Sequence, residues 1–254
     1  MTGEICHYTS LSGLNGIICK EGIKFFATRF SHLNDSLEYN WAKERLQPEI
    51  TQELCDEFKL IYDKDMDAYP YVLCFSKDVD SLPLWQIYAD NGVGFCLVFD
   101  RERIRLNGIH TNPDVVMDVA YTDVDNLSNT FRKVAQRYMT EYGGNNSHDL
   151  LDVCALIKRR DFTYENEVRY LLSKHGIQHY NGKNLTENED YDDVKFRGSR
   201  YGLIPYLEIM FPKDCLKKII VGYAYDFNRQ RESLELLLNQ LGYDNIDIQQ
   251  AIRP

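Results

Sequence analysis

A chain of 254 residues with a net charge of −10 can form one large domain or two small ones and bury a substantial core. Its 18 tyrosines and 12 phenylalanines exclude a disordered chain, and the acidic balance excludes a protein that coats nucleic acid through general basicity, though not a local basic groove. Seven scattered cysteines without a Cys-x-x-Cys pair argue against a zinc site and for reduced thiols in a cytosolic setting.

Residues 5–9 read as a short strand. Ser10 can cap a helix carrying Leu11, Leu14, Ile17 and Ile18 at helical spacing, with Gly22 closing it. A second strand is expected over 23–28, then a polar turn over 29–35 and a helix near 36–45. Leu54, Phe58 and Ile61 mark a further helical face. Residues 71–76 are a strand, and Pro83 opens a short helix bearing Trp85 and Tyr88 that Asn91-Gly92 ends. Strands follow over 94–99 and 115–121, then helices over 126–142 and 148–160. After an extended segment around Glu165 comes a polar excursion over 175–200, with the composition of a mobile loop. Strands over 202–210 and 218–221, a helix over 228–241 and a strand over 246–251 complete the chain. The elements interleave without a regular βαβ rhythm, so the expected class is α+β, with residues 1–254 as a single domain. No apolar run reaches membrane-spanning length, and the first residues carry no basic stretch followed by an apolar one. Neither a membrane nor a leader is expected.

Glu165, Glu167 and Arg169 stand two positions apart, so an extended backbone puts them on one face, with Val168, Tyr170 and Leu172 on the other. Burying such charges without partners is costly, so they are either solvated, paired across a strand edge, or line a site. In a site, Glu167 can stabilise positive charge developing on a sugar while Glu165 orients an acceptor. His7 and Thr9 share one face of the first strand and can bond a ribose hydroxyl. Arg29 can pair with a pyrophosphate, or be an ordinary surface charge. Trp85 and Tyr88, three apart on a helix, fit core packing or a wall for a flat ring. Ser76 lacks a Gly-x-Ser-x-Gly context, which argues against a hydrolase nucleophile. Lys158, Arg159 and Arg160 suit a helix C-terminus, or with Lys195, Arg197 and Arg200 a patch for an anion. Asn34, Asp35 and Glu38 fit a capping box, with a divalent-metal nuclease as the remote alternative. No phosphate-binding glycine loop is present.

In order, His7-Tyr8-Thr9-Ser10-Leu11, Gly13-Leu14 with Ile17-Ile18, Leu33-Asn34-Asp35 with Glu38, Cys74-Phe75-Ser76, Leu84-Trp85 with Tyr88-Ala89 and Gly92-Gly94, Lys158 with Phe162-Thr163, Glu165-x-Glu167-Val168-Arg169 and Ile219-Ile220-Val221-Gly222 resemble a bacterial and phage family known only as a domain of unknown function, number twenty-nine seventy-one. The order of a His-x-Thr strand, a middle strand ending in Phe-Ser and a late Glu-x-Glu strand is also similar to the ADP-ribosyltransferase superfamily. That resemblance implies a split β-sheet core with flanking helices and NAD as substrate, with no metal. His7 and Thr9 would hold the adenosine ribose, Arg29 the pyrophosphate, Ser76 and Tyr88 the nicotinamide side. Glu167 would be catalytic and Glu165 would direct the acceptor, a nucleic acid or a protein. It further implies a toxin of antiviral defence, with an antitoxin as a candidate partner. NAD hydrolysis with water as acceptor, or a non-catalytic ligand- or protein-binding module of the same fold, are the alternatives.

Overall fold

In the computed structural model, which describes residues 3–33, 38–61, 69–106, 115–142, 148–172, 194–199 and 202–252, Ser10 links β1 (Glu4–Thr9) to α1 (Leu11–Ile17). Its side chain accepts a hydrogen bond from the Gly13 amide at 3.1 Å, satisfying one of the amides a helix start leaves open. The helix ends at Ile17, before the expected stop. Gly22 serves instead the turn into β2 (Ile23–Arg29), where a Cβ would meet the Phe211 carbonyl at 2.4 Å. A 3-10 turn (Phe30–His32), α2 (Glu38–Arg45), α3 (Pro48–Phe58) and the two-residue β3 (Leu60–Ile61) lead to β4 (Tyr71–Ser76). Then come α4 (Leu82–Tyr88), β5 (Phe95–Asp100), α5 (Arg101–Leu106), β6 (Val115–Asp118), β7 (Ala120–Thr122) and α6 (Leu127–Tyr142).

The single helix expected over 148–160 is broken into β8 (His148–Asp149), α7 (Leu150–Cys154) and β9 (Ile157–Arg159). Its last turn yields to strand pairing: β9 lies parallel to β7, with Lys158 opposite Tyr121. A 3-10 turn (Arg160–Glu165) precedes β10 (Glu167–Leu172), followed by β11 (Lys195–Ser199), β12 (Gly202–Phe211), β13 (Leu216–Val221), α8 (Phe227–Leu241) and β14 (Asp247–Gln250). Part of the expected mobile excursion is therefore strand, β11. Residues 175–193 and 200 lie outside the described residues, as do Asn34 and Asp35 and the side chain of Glu38.

The class is α+β. Among the described residues, ten strands form one sheet in the order β11-β12-β2-β4-β1-β5-β13-β14, with β10 paired to β4 and β6 paired to β10. Only β13 and β14 run parallel within it. One edge of β4 pairs along its whole length with β10. The other edge is divided: Val72 and Tyr71 pair with Thr28 and Arg29 of β2, and Ser76 pairs with Cys6 of β1. Between these contacts β1 and β2 part, so the sheet is split beside Leu73, Cys74 and Phe75.

Apolar layers cover both faces. Ile5, Phe25, Phe75, Val168 and Tyr170 pack with Leu234 and Leu238 of α8 on one side, and Phe30, Trp41, Leu54, Phe131 and Leu171 on the other. Where β13 meets the turn before β5, a Cβ on Gly222 would lie 2.2 Å from the Gly92 carbonyl oxygen and 2.8 Å from that of Gly94. Backbone cannot retreat as a side-chain tip can, so Gly222→Ala is expected to cost about 1–3 kcal/mol. Urea denaturation measures this, and an unchanged midpoint would mean that the two strands can separate freely there.

Candidate active site

The split in the sheet opens onto a cleft of about 610 Å³ whose lining includes His7, Thr9, Ser76, Tyr88, Glu165 and Glu167. These come from β1, β4, α4, the 3-10 turn before β10, and β10 itself.

The two glutamates do not share a strand as the period-two pattern suggested. Glu165 closes the 3-10 turn, Asn166 takes a left-handed conformation (φ 42°, ψ 51°), and β10 begins at Glu167. Both carboxylates nevertheless meet at one cation. Lys158 Nζ donates to Glu165 Oε2 at 2.5 Å and to Glu167 Oε2 at 3.3 Å. Arg169 completes the cluster, its Nε and Nη2 donating to Glu167 at 2.8 and 3.1 Å. Its Nη1 donates to the Ala155 carbonyl at 2.6 Å, and its guanidinium lies 5.3 Å from the Phe30 ring centre. None of these four charged side chains belongs to a residue more than 6% exposed. The charges are thus neither solvated nor at a strand edge.

Their surroundings drive the two carboxyl groups apart. Burial pushes Glu165 above the usual carboxylate range, and Lys158 only partly opposes this. Burial acts on Glu167 in the same sense, but the Arg169 and Lys158 charges and the Arg169 hydrogen bonds outweigh it and hold Glu167 below that range. One carboxylate is a fixed anion and the other is poised to take up a proton, the division that acid–base chemistry requires. Tyr88 Oη donates to Glu165 Oε1 at 2.9 Å, and the Tyr121 hydroxyl accepts from the Glu167 amide at 2.8 Å. Ser76 Oγ donates to the Glu165 carbonyl at 2.7 Å and accepts from the Asp78 amide at 3.0 Å, so it ties the glutamate turn to the end of β4.

His7 occupies the split. By alternation it faces away from Cys6, which stands beside Ser76 and, one strand further, Glu167. On an unbroken sheet it would lie on the wrong side. Here the cleft passes through the opening between β1 and β2, and the imidazole reaches across it to Cys74. The Cys74 carbonyl, 2.9 Å from Nδ1, can only accept, which assigns the proton to that nitrogen and leaves Nε2 an acceptor. Burial holds His7 below its ordinary range against the Cys74 hydrogen bond, and the Arg197 charge adds to this, so the ring is neutral. Phe25 and Phe75 pack edge-on against it at 5.0 and 6.1 Å. Thr9 lies against α1, where a Cβ on Gly13 would fall 2.0 Å from Thr9 Oγ1, so glycine leaves the hydroxyl its room.

Arg29 is not brought to this cleft. Its neighbour Thr28 lines the cleft, and alternation along β2 turns Arg29 to the other face, where its guanidinium sits 5.6 Å from the Tyr69 ring centre. Arg197 of β11 supplies the cation instead, donating from Nη2 to Thr28 Oγ1 at 3.0 Å. Trp85 is core: it is buried, and its indole nitrogen donates to Asp80 at 2.7 Å. Lys158 does not end a helix but sits buried in β9, and its bridging of the two glutamates was missed in the sequence. A lysine directly after the apolar run 153–157 was the available signal. Among the described residues no group of three or more His, Cys, Asp or Glu side chains is placed to hold a metal ion, and no helix is long and apolar enough to cross a membrane.

Residues 84–170 match the model of a family described as a protein of unknown function, DUF2971. The DUF2971 span runs from α4 into β10 and holds Tyr88, Lys158, Glu165, Glu167 and Arg169, whereas His7, Thr9 and Ser76 precede it. No curated protein matches the chain. Among solved structures, that of Thermus sp. 2.9 DarT in complex with ADP-ribosylated ssDNA is similar over 98% of this chain and 93% of that chain, at 15% sequence identity and a TM-score of 0.34.

Proposed function

We propose that the protein is an ADP-ribosyltransferase that consumes NAD. The observation that carries this reading is the meeting of a neutral His7 and Thr9 with Glu165 and Glu167 in one cleft, within the volume range of small-molecule sites. The cleft is also chemically graded, with Arg197 on the His7 side and paired carboxylates at the other end. A dinucleotide with an anionic middle and a cationic ring at one end suits that grading. His7 Nε2 and Thr9 Oγ1 bond hydroxyls of the adenosine ribose, and Arg197 faces the diphosphate in the role first given to Arg29.

As the bond from the ribose C1′ to the nicotinamide nitrogen breaks, its electron pair leaves with nicotinamide. The positive charge passes to the sugar, opposite Glu167, which its cation partners hold ionised near neutral pH. The acceptor bonds to C1′ and gives its proton to Glu165, whose raised affinity for protons fits that task. Ser76 and Tyr88 hold Glu165 in place. No step calls for a metal.

Purified protein incubated with NAD labelled in its ADP-ribose half and with a cell lysate tests the reading. Label on nucleic acid or protein is the expected result and identifies the acceptor class, free ADP-ribose would indicate water as the acceptor, and neither product would overturn the proposal. His7→Ala is expected to raise the NAD concentration needed for half-maximal labelling about tenfold, the equivalent of about 1.4 kcal/mol. An unchanged requirement would remove His7 from the site.

A further inference from the structure

Lys158 reaches the cleft from a buried apolar stretch, Ala155, Leu156 and Ile157. Its ammonium meets the two carboxylates at 2.5 and 3.3 Å and stands 4.8 Å from the centre of the Phe162 ring. Two carboxylates and an aromatic face directed at one point form a box for a cation, the former by charge and the latter by its quadrupole. All four side chains line the cleft, so the box opens to it. Arg169 is fixed by Glu167, the Ala155 carbonyl and the Phe30 face. A lysine ammonium is a point charge on a flexible stem and can move where a clamped guanidinium cannot.

We infer that Lys158 fills this box as an internal substitute for a flat organic cation, and that a cationic ring entering the cleft competes with it. The inference rests on the reading of the cleft as an NAD site. The nicotinamide ring is cationic while joined to ribose and neutral once released, so Lys158 regains the box as the ring loses its charge. The competition lowers affinity for every cationic ring, and the box returns part of that loss only while the ring is charged. Lys158 is thus a specificity-determining residue that need not touch the reacting atoms.

Two probes share the ring and differ in charge: the N-methylnicotinamide cation and neutral nicotinamide. Calorimetric titration at pH 8 compares their binding to the wild-type chain, Lys158→Met and Phe162→Leu. Lys158→Met is expected to bind the cation about tenfold more tightly, with nicotinamide binding unchanged. Phe162→Leu is expected to weaken the cation alone. The gain in Lys158→Met should shrink as pH falls, because Glu165 without its cation protonates more readily. Among the described residues, the other titratable groups whose charges couple to Glu165 are Glu167, held ionised, and Tyr88, Tyr121 and Tyr164, which burial pushes up and keeps neutral. Should Lys158→Met fail to fold, Lys158→Gln, which can still donate to the carboxylates, takes its place with the same expectation. Equal or weaker cation binding in the variant, or a like gain for both probes, overturns the inference. The probes carry no ADP, so a charge preference without any NAD turnover would remove the transferase reading alone, and turnover without the preference would remove this inference alone.

Discussion

Glu167→Ala is expected to lower the free energy of unfolding by about 3–5 kcal/mol, the range for removing one partner of a buried ion pair. Arg169 is fully buried, and Glu167 receives two of its hydrogen bonds. Without that carboxylate the guanidinium loses both of these hydrogen bonds and the formal counter-charge they carry. Lys158 loses one of its two carboxylates in the same step. Urea denaturation at pH 7 reads the effect, and an unchanged midpoint would mean that Arg169 finds other compensation and that the pair does not brace β10. The expected loss also bears on function. A purely catalytic Glu167, as the sequence resemblance implies, would lose activity in Glu167→Ala and leave folding intact. The fully enclosed pair removes that clean separation, so lost activity in this variant cannot be assigned to chemistry without a measurement of stability beside it.

The framework of the fold was legible wherever local pattern and tertiary demand agree. Residues 71–76 form β4 and 82–88 form α4 within the expected limits, because an apolar run and a proline in the first helical turn each point to one structure. The helix expected over 228–241 is α8, which Asp226 caps and Gly242 ends in the left-handed conformation. Residues 148–160 were not legible. Leu150 to Ile157 is apolar enough to suit a helix or a buried strand; 150–154 stay helical, and partnership with β7 takes 157–159 into a strand.

The site shows the same division. The Glu-x-Glu-x-Arg spacing pointed to side chains that do cluster, but through an incomplete premise. Three residues on one strand face was the expectation, yet Glu165 belongs to the preceding turn and the reversal at Asn166 keeps it on the cleft. Spacing along one segment cannot reveal a bridging cation from elsewhere, which is why Lys158 was assigned to a helix end. Arg29 and Arg197 were both noted as cations, and nothing short of the β2–β12–β11 pairing distinguishes the one that reaches the cleft. The opening between β1 and β2 matters most. It lets residues of opposite alternation share one cleft, and no sequence periodicity encodes it.

Glu165 is where chemistry and stability can be separated. Glu165→Gln retains an oxygen able to accept from Tyr88 and Lys158, and Lys158 keeps Glu167 as its counter-ion. The fold is therefore expected to survive, while kcat for transfer falls about 10²–10⁴-fold, the usual contribution of a positioned general base. The same variant should alter stability in a specific pH window. Glu167, held below its unfolded value of 4.5, makes the folded state bind fewer protons there, so its contribution is lost as pH falls below that value. Glu165 acts oppositely: its folded value lies above 4.5, so the folded state holds a proton that the unfolded chain has released, and its contribution falls as pH rises from 4.5 through the raised value. Glu165→Gln should thus flatten the decline in urea midpoint above pH 4.5 while leaving the acid limb from Glu167 in place. Parallel curves for the two proteins above that pH would mean that Glu165 does not titrate abnormally. A base role for it would then lose its physical ground, even if the substitution impaired turnover.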